Sequence, residues 1–218
     1  MNKNIFSSLD LLPYFTIESV KQLFGDGASN AATLRTVLYR WMKTDRVIQL
    51  KKGVYMPRRF YELHRREIDF SLAVSAILLP QSYLSLEFIL QRHAILTEVT
   101  YPVSAITLKN TLVIENKLGS FTYRHIKPAL YRGFSISECT GILFAQASPA
   151  KALFDYLYLR PVSGLIRSPA YNLAEELRLN LDNFSLTDQD EFASYVETSQ
   201  VKKMEPILKN LRRSVWRL

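Results

Sequence analysis

Residues 16–59 read TIESVKQLFGDGASNAATLRTVLYRWMKTDRVIQLKKGVYMPRR, and their periodicity sets the architecture expected of the amino-terminal part. Leu34, Val37, Leu38, Trp41 and Met42 recur at i, i+3, i+4, i+7 and i+8, one apolar stripe at helical period. The spacing predicts a helix from about Ser29 to Lys43. Its opposite face carries Ser29, Ala32, Thr33, Thr36, Tyr39, Arg40 and Lys43, with Arg35 on the flank. Upstream, Thr16 is a good N-cap for a shorter helix, with Glu18 in its first turn and Gly25-Asp26-Gly27 breaking it. Downstream, Val47, Ile48, Leu50, Val54 and Tyr55 favour strand, and Lys52-Gly53 favours a tight turn. A short helix containing Ile5, Phe6, Leu9 and Leu12, stopped by Pro13, precedes them. Two helices followed by a basic hairpin predict a winged helix-turn-helix over residues 1–60, leaving 61–218 for a larger domain.

Charge follows the same division. Residues 1–60 hold ten Lys and Arg against four acids, so they carry 10 − 4 = +6 of the chain's +8. Positive charge gathered on one small module suits a phosphate-binding surface, because each neutralised phosphate releases counterions. On such a helix short side chains at Ser29, Asn30, Thr33 and Thr36 stand near base edges. Longer cations at Arg35, Arg40, Lys43, Arg46, Lys51, Lys52 and Arg58 reach phosphates. Tyr39 faces outward, whereas Trp41 lies in the stripe and belongs to the core.

The remaining pattern predicts an α+β fold. Helices are expected over residues 60–80 and 83–94, then short strands at 103–108, 111–115, 120–126, 129–136 and 141–146, forming a mostly antiparallel sheet packed by helices. Ser148 with Pro149 at N1 starts a helix to about Leu159, apolar on nearly every side. Further helices are expected at 172–180, at 187–198 with Thr187 as cap, and at 200–214. No apolar run reaches the length of a membrane span, and the amino end lacks the features of a secretory leader. One cysteine, Cys139, and three scattered histidines offer neither an internal disulfide nor metal-ligand spacing. A cytoplasmic protein with no metal and no cofactor is expected.

Three stretches carry a family likeness. RVIQLKKGVYMP at 46–57, SYLSLEFILQRHAIL at 82–96 and GILFAQASPAKALFDYLYLR at 141–160 together resemble the AbiEi family of type IV antitoxins and related transcriptional regulators. The family's usual acid after Ser-Pro is Ala150 here, while Lys151 and Asp155 are retained. The resemblance implies a bifunctional protein. Its winged helix would repress its own operon by binding inverted repeats in promoter DNA, as a monomer in solution or a dimer on DNA. Its carboxyl-terminal domain would oppose a nucleotidyltransferase-like toxin without a stable complex. Glu87, Lys151 and Asp155 are the candidates for that second activity.

Each feature also has a plainer reading. Lys151 and Asp155 stand i, i+4 on one helix, so an ion pair or an anchor for neighbouring strands accounts for them. His93 has no adjacent nucleophile and reads as structural. A regulator of the same architecture, with a ligand- or partner-sensing second domain and no toxin, is the main alternative. A metal-dependent nuclease has one foothold, Glu115-Asn116-Lys117 at a strand end with Glu98 as a second acid, though Asn116 and Gly119 equally make a hairpin turn.

Overall fold

In the computed structural model, which describes residues 3–24, 31–98 and 102–216, the apolar stripe becomes the inner face of α3 (Ala31–Lys43). Leu34, Val37, Leu38 and Trp41 are buried together with Leu9 of α1 (Lys3–Leu9), Phe15 of β1 (Phe15–Thr16) and Val20 of α2 (Ile17–Phe24). Val47 of β2 (Val47–Lys51) and Tyr55 of β3 (Val54–Pro57) complete that core. Trp41 stands edge-on to Phe6 at 5.1 Å between ring centres, so it packs as expected. The Thr16 hydroxyl caps α2 by accepting the Ser19 N–H at 3.2 Å. The α3 helix stops where Asp45 adopts φ +53° and the Arg46 N–H turns back to the Trp41 carbonyl at 2.9 Å.

β2 and β3 pair antiparallel across Lys52-Gly53, with Gly53 at φ +81°. β1 joins the free side of β3, giving the order β1-β3-β2. The expected helix at 60–80 is in fact two, α4 (Arg58–His64) and α5 (Phe70–Leu78). Between them the apolar period lapses: Arg65, Arg66 and Glu67 are exposed, and Ile68 is 86% exposed. A segment with no face to bury has nothing to hold it helical. This first compact unit comprises Met1–Pro80 with Val113–Ser120 and Glu138–Phe144, so a boundary after residue 60 falls inside it.

The second unit comprises Gln81–Leu112, Phe121–Ser137 and Ala145–Leu218. The larger sheet has the order β6-β7-β5-β4-β9-β8. Its strands are β4 (Ser82–Leu84), β5 (Val103–Thr107), β6 (Leu112–Asn116), β7 (Gly119–His125), β8 (Phe134–Cys139) and β9 (Ile142–Ala147). β4 runs antiparallel to β5, but β4–β9 and β5–β7 are parallel, so the sheet is mixed rather than mostly antiparallel. Turn residues announce only hairpins between neighbours in sequence; parallel partners come from distant segments and leave no such mark. Residues 82–84 form a strand where a helix was expected, and α6 (Leu86–Arg92) begins only after Ser85. All three strand residues are buried, which removes the alternation that identifies a half-exposed strand.

Residues 128–130 form a 3-10 turn, and β8 starts at Phe134, beyond Gly133, rather than at 129. α7 (Pro149–Leu159) forms as expected, with the Ser148 hydroxyl accepting the Lys151 N–H at 3.0 Å. α8 (Leu173–Glu176) is a single turn within the longer helix expected there. α9 (Leu186–Ser199) is capped by Ser185, not Thr187: Ser185 and Asp188 form a reciprocal capping box one turn earlier. α10 (Met204–Leu211) follows, closed by a π-turn at Arg212–Trp216. No helix among the described residues is long and apolar enough to cross a membrane.

Candidate nucleic-acid interface

Burying the stripe of α3 forces its other face outward. Thr33, Arg35, Thr36, Tyr39, Arg40 and Lys43 are all exposed, Tyr39 to 56%. The Thr36 hydroxyl donates to the Ala32 carbonyl at 2.9 Å. The Lys43 ammonium lies 5.9 Å from the centre of the Tyr39 ring. On this exposed face Thr33, Arg35 and Thr36 occupy the earlier turns, and Tyr39, Arg40 and Lys43 the later ones. Ser29 and Asn30, with the Gly25-Asp26-Gly27 break, lie outside the described residues.

The hairpin divides its cations. Lys52, at the tip, is exposed. The Lys51 ammonium donates to the Leu78 carbonyl at 2.5 Å, which fastens the hairpin to the last turn of α5. Arg46 is exposed, its guanidinium 5.4 Å from the Phe6 ring centre. Arg58 pairs with Glu62 at 2.9 Å and Asp45 at 3.4 Å, and lies over Tyr61. Lys51 and Arg58 therefore brace the unit rather than offering open charge. The Leu78 carbonyl and Asp45 are partners set by tertiary packing, whereas Glu62 is an i, i+4 neighbour of Arg58 on α4.

Asn116 explains the turn at the other hairpin. Its carbonyl oxygen accepts the Leu118 N–H at 2.7 Å, and its amide donates to the Leu50 carbonyl at 2.9 Å. Glu115 and Lys117 are exposed beside it. Glu98 belongs to the second unit and pairs with Arg178 at 3.1 Å. Among the described residues no three His, Cys, Asp or Glu side chains are grouped to hold a metal.

The second unit buries a polar cluster around α7. Lys151 and Asp155 are both fully buried and form an ion pair. The remaining Asp155 oxygen accepts from the Tyr83 hydroxyl at 3.0 Å and the Ser85 hydroxyl at 2.7 Å. The Ser85 position is held by an unusual backbone: Leu86 adopts φ +62°, a conformation costing an L side chain about 1–2 kcal/mol. The Lys151 ammonium also lies within 5.6 Å of the ring centres of Tyr83, Phe154 and Tyr195. Burial pushes the Asp155 carboxyl above its ordinary range and the Lys151 ammonium below its own, each opposed in part by the other. Burial likewise raises the Tyr83 phenol, reinforced by the Asp155 charge.

Tyr195 extends the cluster. Its hydroxyl donates to Glu191 at 2.6 Å, and Ser148 donates to the same oxygen at 2.8 Å. Gly133, at φ +81°, sits against the Tyr195 ring with no room for a side chain. A β-carbon there would fall 2.8 Å from Tyr195 Cζ and 3.2 Å from Lys151 Cδ. Tyr83 and Ser85 lie within the 82–96 motif without marking themselves as partners of Asp155, and Gly133 and Tyr195 carry no signal in the sequence. Lys151 and Asp155, both fully buried, thus anchor strand and loop from inside the unit. Glu87 stands half-buried in the first turn of α6 and shares no hydrogen bond or ion pair with that cluster among the described residues. His93 is exposed at the end of α6. Neither the models of known protein families nor the curated protein sequences match this chain.

Proposed function

We propose that the chain is a DNA-binding transcriptional repressor of the AbiEi kind, whose first unit acts as a winged helix and whose second unit opposes a toxin. The observation that carries this reading is the outward face of α3: two hydroxyls, an aromatic and three cations around a helix whose reverse side is core. In the proposed complex α3 lies in a major groove, with Thr33 and Thr36 toward base edges and Arg35, Arg40 and Lys43 toward phosphates. Lys52 at the hairpin tip adds a backbone contact, with Arg46 beside it. Binding to inverted repeats in its own promoter would place two copies on one duplex, each a monomer before binding.

The second activity is proposed on the resemblance of 82–96 and 141–160, with the buried Lys151–Asp155 pair maintaining the domain rather than meeting the toxin. A nucleotidyltransferase-like toxin encoded beside the chain is the proposed functional partner. Gel-shift titration on the promoter duplex and on a scrambled duplex tests the first activity. Tighter binding to the promoter is expected, with Arg40→Ala/Lys43→Ala weakening binding to both duplexes; equal affinity of the parent chain for both duplexes refutes sequence-specific repression. Co-expression with the neighbouring gene's product tests the second, where growth rescue by residues 81–218 alone is not required but rescue by the full chain is.

A further inference from the structure

The carboxyl end carries a second concentration of positive charge. Residues 200–218 hold Lys202, Lys203, Lys209, Arg212, Arg213 and Arg217 against Glu205 alone, a balance of 6 − 1 = +5. Residues 61–199, with twelve cations and fifteen acids, stand at 12 − 15 = −3. The positive charge outside the first sixty residues is therefore concentrated on one short segment, and that segment lines a groove.

The groove lies wholly in the second unit, between α9, α10 and the 3-10 turn at Gly164–Arg167, with a volume of about 820 Å³. Arg167, Lys202, Lys209 and Arg213 border it, and all four are exposed. Among the described residues none of the four is engaged in an ion pair. Glu197 and Glu205 also border the groove, so its balance is 4 − 2 = +2. Ile166, Val196, Val201, Pro206 and Leu208 supply an apolar floor.

The walls are fixed by hydrogen bonds that no ligand is needed to make. Asn210 is 1% exposed; its carbonyl oxygen accepts the Leu173 N–H at 3.0 Å and its amide donates to the Tyr171 carbonyl at 2.8 Å. The same amide reaches the Ile166 carbonyl at 3.4 Å, so one buried side chain ties α10 to the facing wall. One nitrogen of Arg213 donates to the Ser168 and Tyr171 carbonyls at 2.9 and 3.2 Å, which orients the guanidinium beside the groove and leaves its other nitrogens for an anion.

We infer that this groove binds a nucleotide. Small-ligand sites enclose about 300–1,000 Å³ with apolar walls and a few fixed polar groups. Cations outside any ion pair, beside an apolar lining, complement a molecule that is anionic at one end and flat and weakly polar at the other. Arg213 and Lys209 receive phosphate oxygens, Arg167 and Lys202 flank them, and the base lies on the floor. The site is independent of the α3 surface, and its failure leaves the DNA-binding reading untouched.

Isothermal titration of the full chain with ATP, GTP, CTP and UTP, with adenosine and with inorganic tripolyphosphate, tests the inference. Saturable binding of at least one triphosphate is expected, at least tenfold tighter than tripolyphosphate or adenosine. Lys209→Gln/Arg213→Gln should weaken it about tenfold or more. Arg124→Gln/Lys127→Gln, which alters two cations outside the groove, should leave it unchanged, with both variants melting as the parent does. If Arg213 proves necessary for folding, Lys202→Gln/Lys209→Gln is the substitute. Tripolyphosphate binding as tightly as every nucleotide, saturation by single-stranded oligonucleotides alone, or no saturation below millimolar concentration overturns it.

Discussion

Replacing Lys151 by methionine isolates the energetics of the buried cluster. Asp155 has three donors, the Lys151 ammonium and the Tyr83 and Ser85 hydroxyls, and no exposed surface. Lys151→Met removes the one positive charge while keeping a side chain of similar length. An ionised Asp155 left unpaired costs about 3–5 kcal/mol. The carboxyl avoids part of that cost by holding its proton, since burial already raises its affinity for one and Lys151 was the main opposing influence. The sign follows from that direction. A group whose folded pKa lies above its unfolded value stabilises below the unfolded pKa, and loses that contribution as pH rises through the folded one. The variant should therefore weaken from about pH 4 upward, at up to about 1.4 kcal/mol per pH unit. Loss stops once the buried acid has released its proton. Urea unfolding between pH 4 and 8, followed by Trp216 fluorescence in a Trp41→Phe background, reads this out for the second unit. Lys151→Met/Asp155→Asn should recover part of the loss, because the amide oxygen still accepts from Tyr83 and Ser85 and no charge remains. A midpoint for Lys151→Met that does not move with pH, or a double variant weaker than both single ones, would refute the assignment of burial as the dominant cost.

Other outcomes follow from the surface of the first unit and from Gly133. Arg40→Ala or Lys43→Ala should weaken binding on all duplexes alike and flatten the dependence of affinity on salt by about one unit of slope, measured by fluorescence anisotropy. Thr33→Ala should change preference among operator variants while leaving that slope alone. Lys52→Ala should weaken DNA binding without altering the melting temperature, whereas Lys51→Ala should lower the melting temperature, because only Lys51 is bound to the Leu78 carbonyl; the reverse pattern would exchange their roles. Gly133→Ala should destabilise by about 3 kcal/mol or more, from a forced contact with Tyr195 added to a positive φ, and a melting curve like the parent's would contradict the packing described.

Much of the first unit was legible because its information is local. The five-residue stripe of α3 fixes which side is buried, and its cations then have only one direction left. The tight turn at Lys52-Gly53 and the Ser148 cap of α7 are equally local, and both form where expected. What escaped depends on distant partners or leaves no period. β1 is two residues and β4 three, too short for alternation to register. Lys51 and Lys52 are indistinguishable as residues, and only the Leu78 carbonyl separates their roles. Lys151 and Asp155 were visible as an i, i+4 pair and Tyr83 and Ser85 as part of the 82–96 motif, but nothing local joins those segments to each other or to Tyr195.

The tight fit of Gly133 against Tyr195 reaches beyond this one chain. Sixty-two positions separate them, 195 − 133, yet neither can change freely while the other stays. Homologous sequences should therefore covary at this pair, with a side chain at 133 appearing only where 195 has become smaller than tyrosine. Such a correlation is countable in any set of relatives and would identify those that share this core even where the three motifs have drifted.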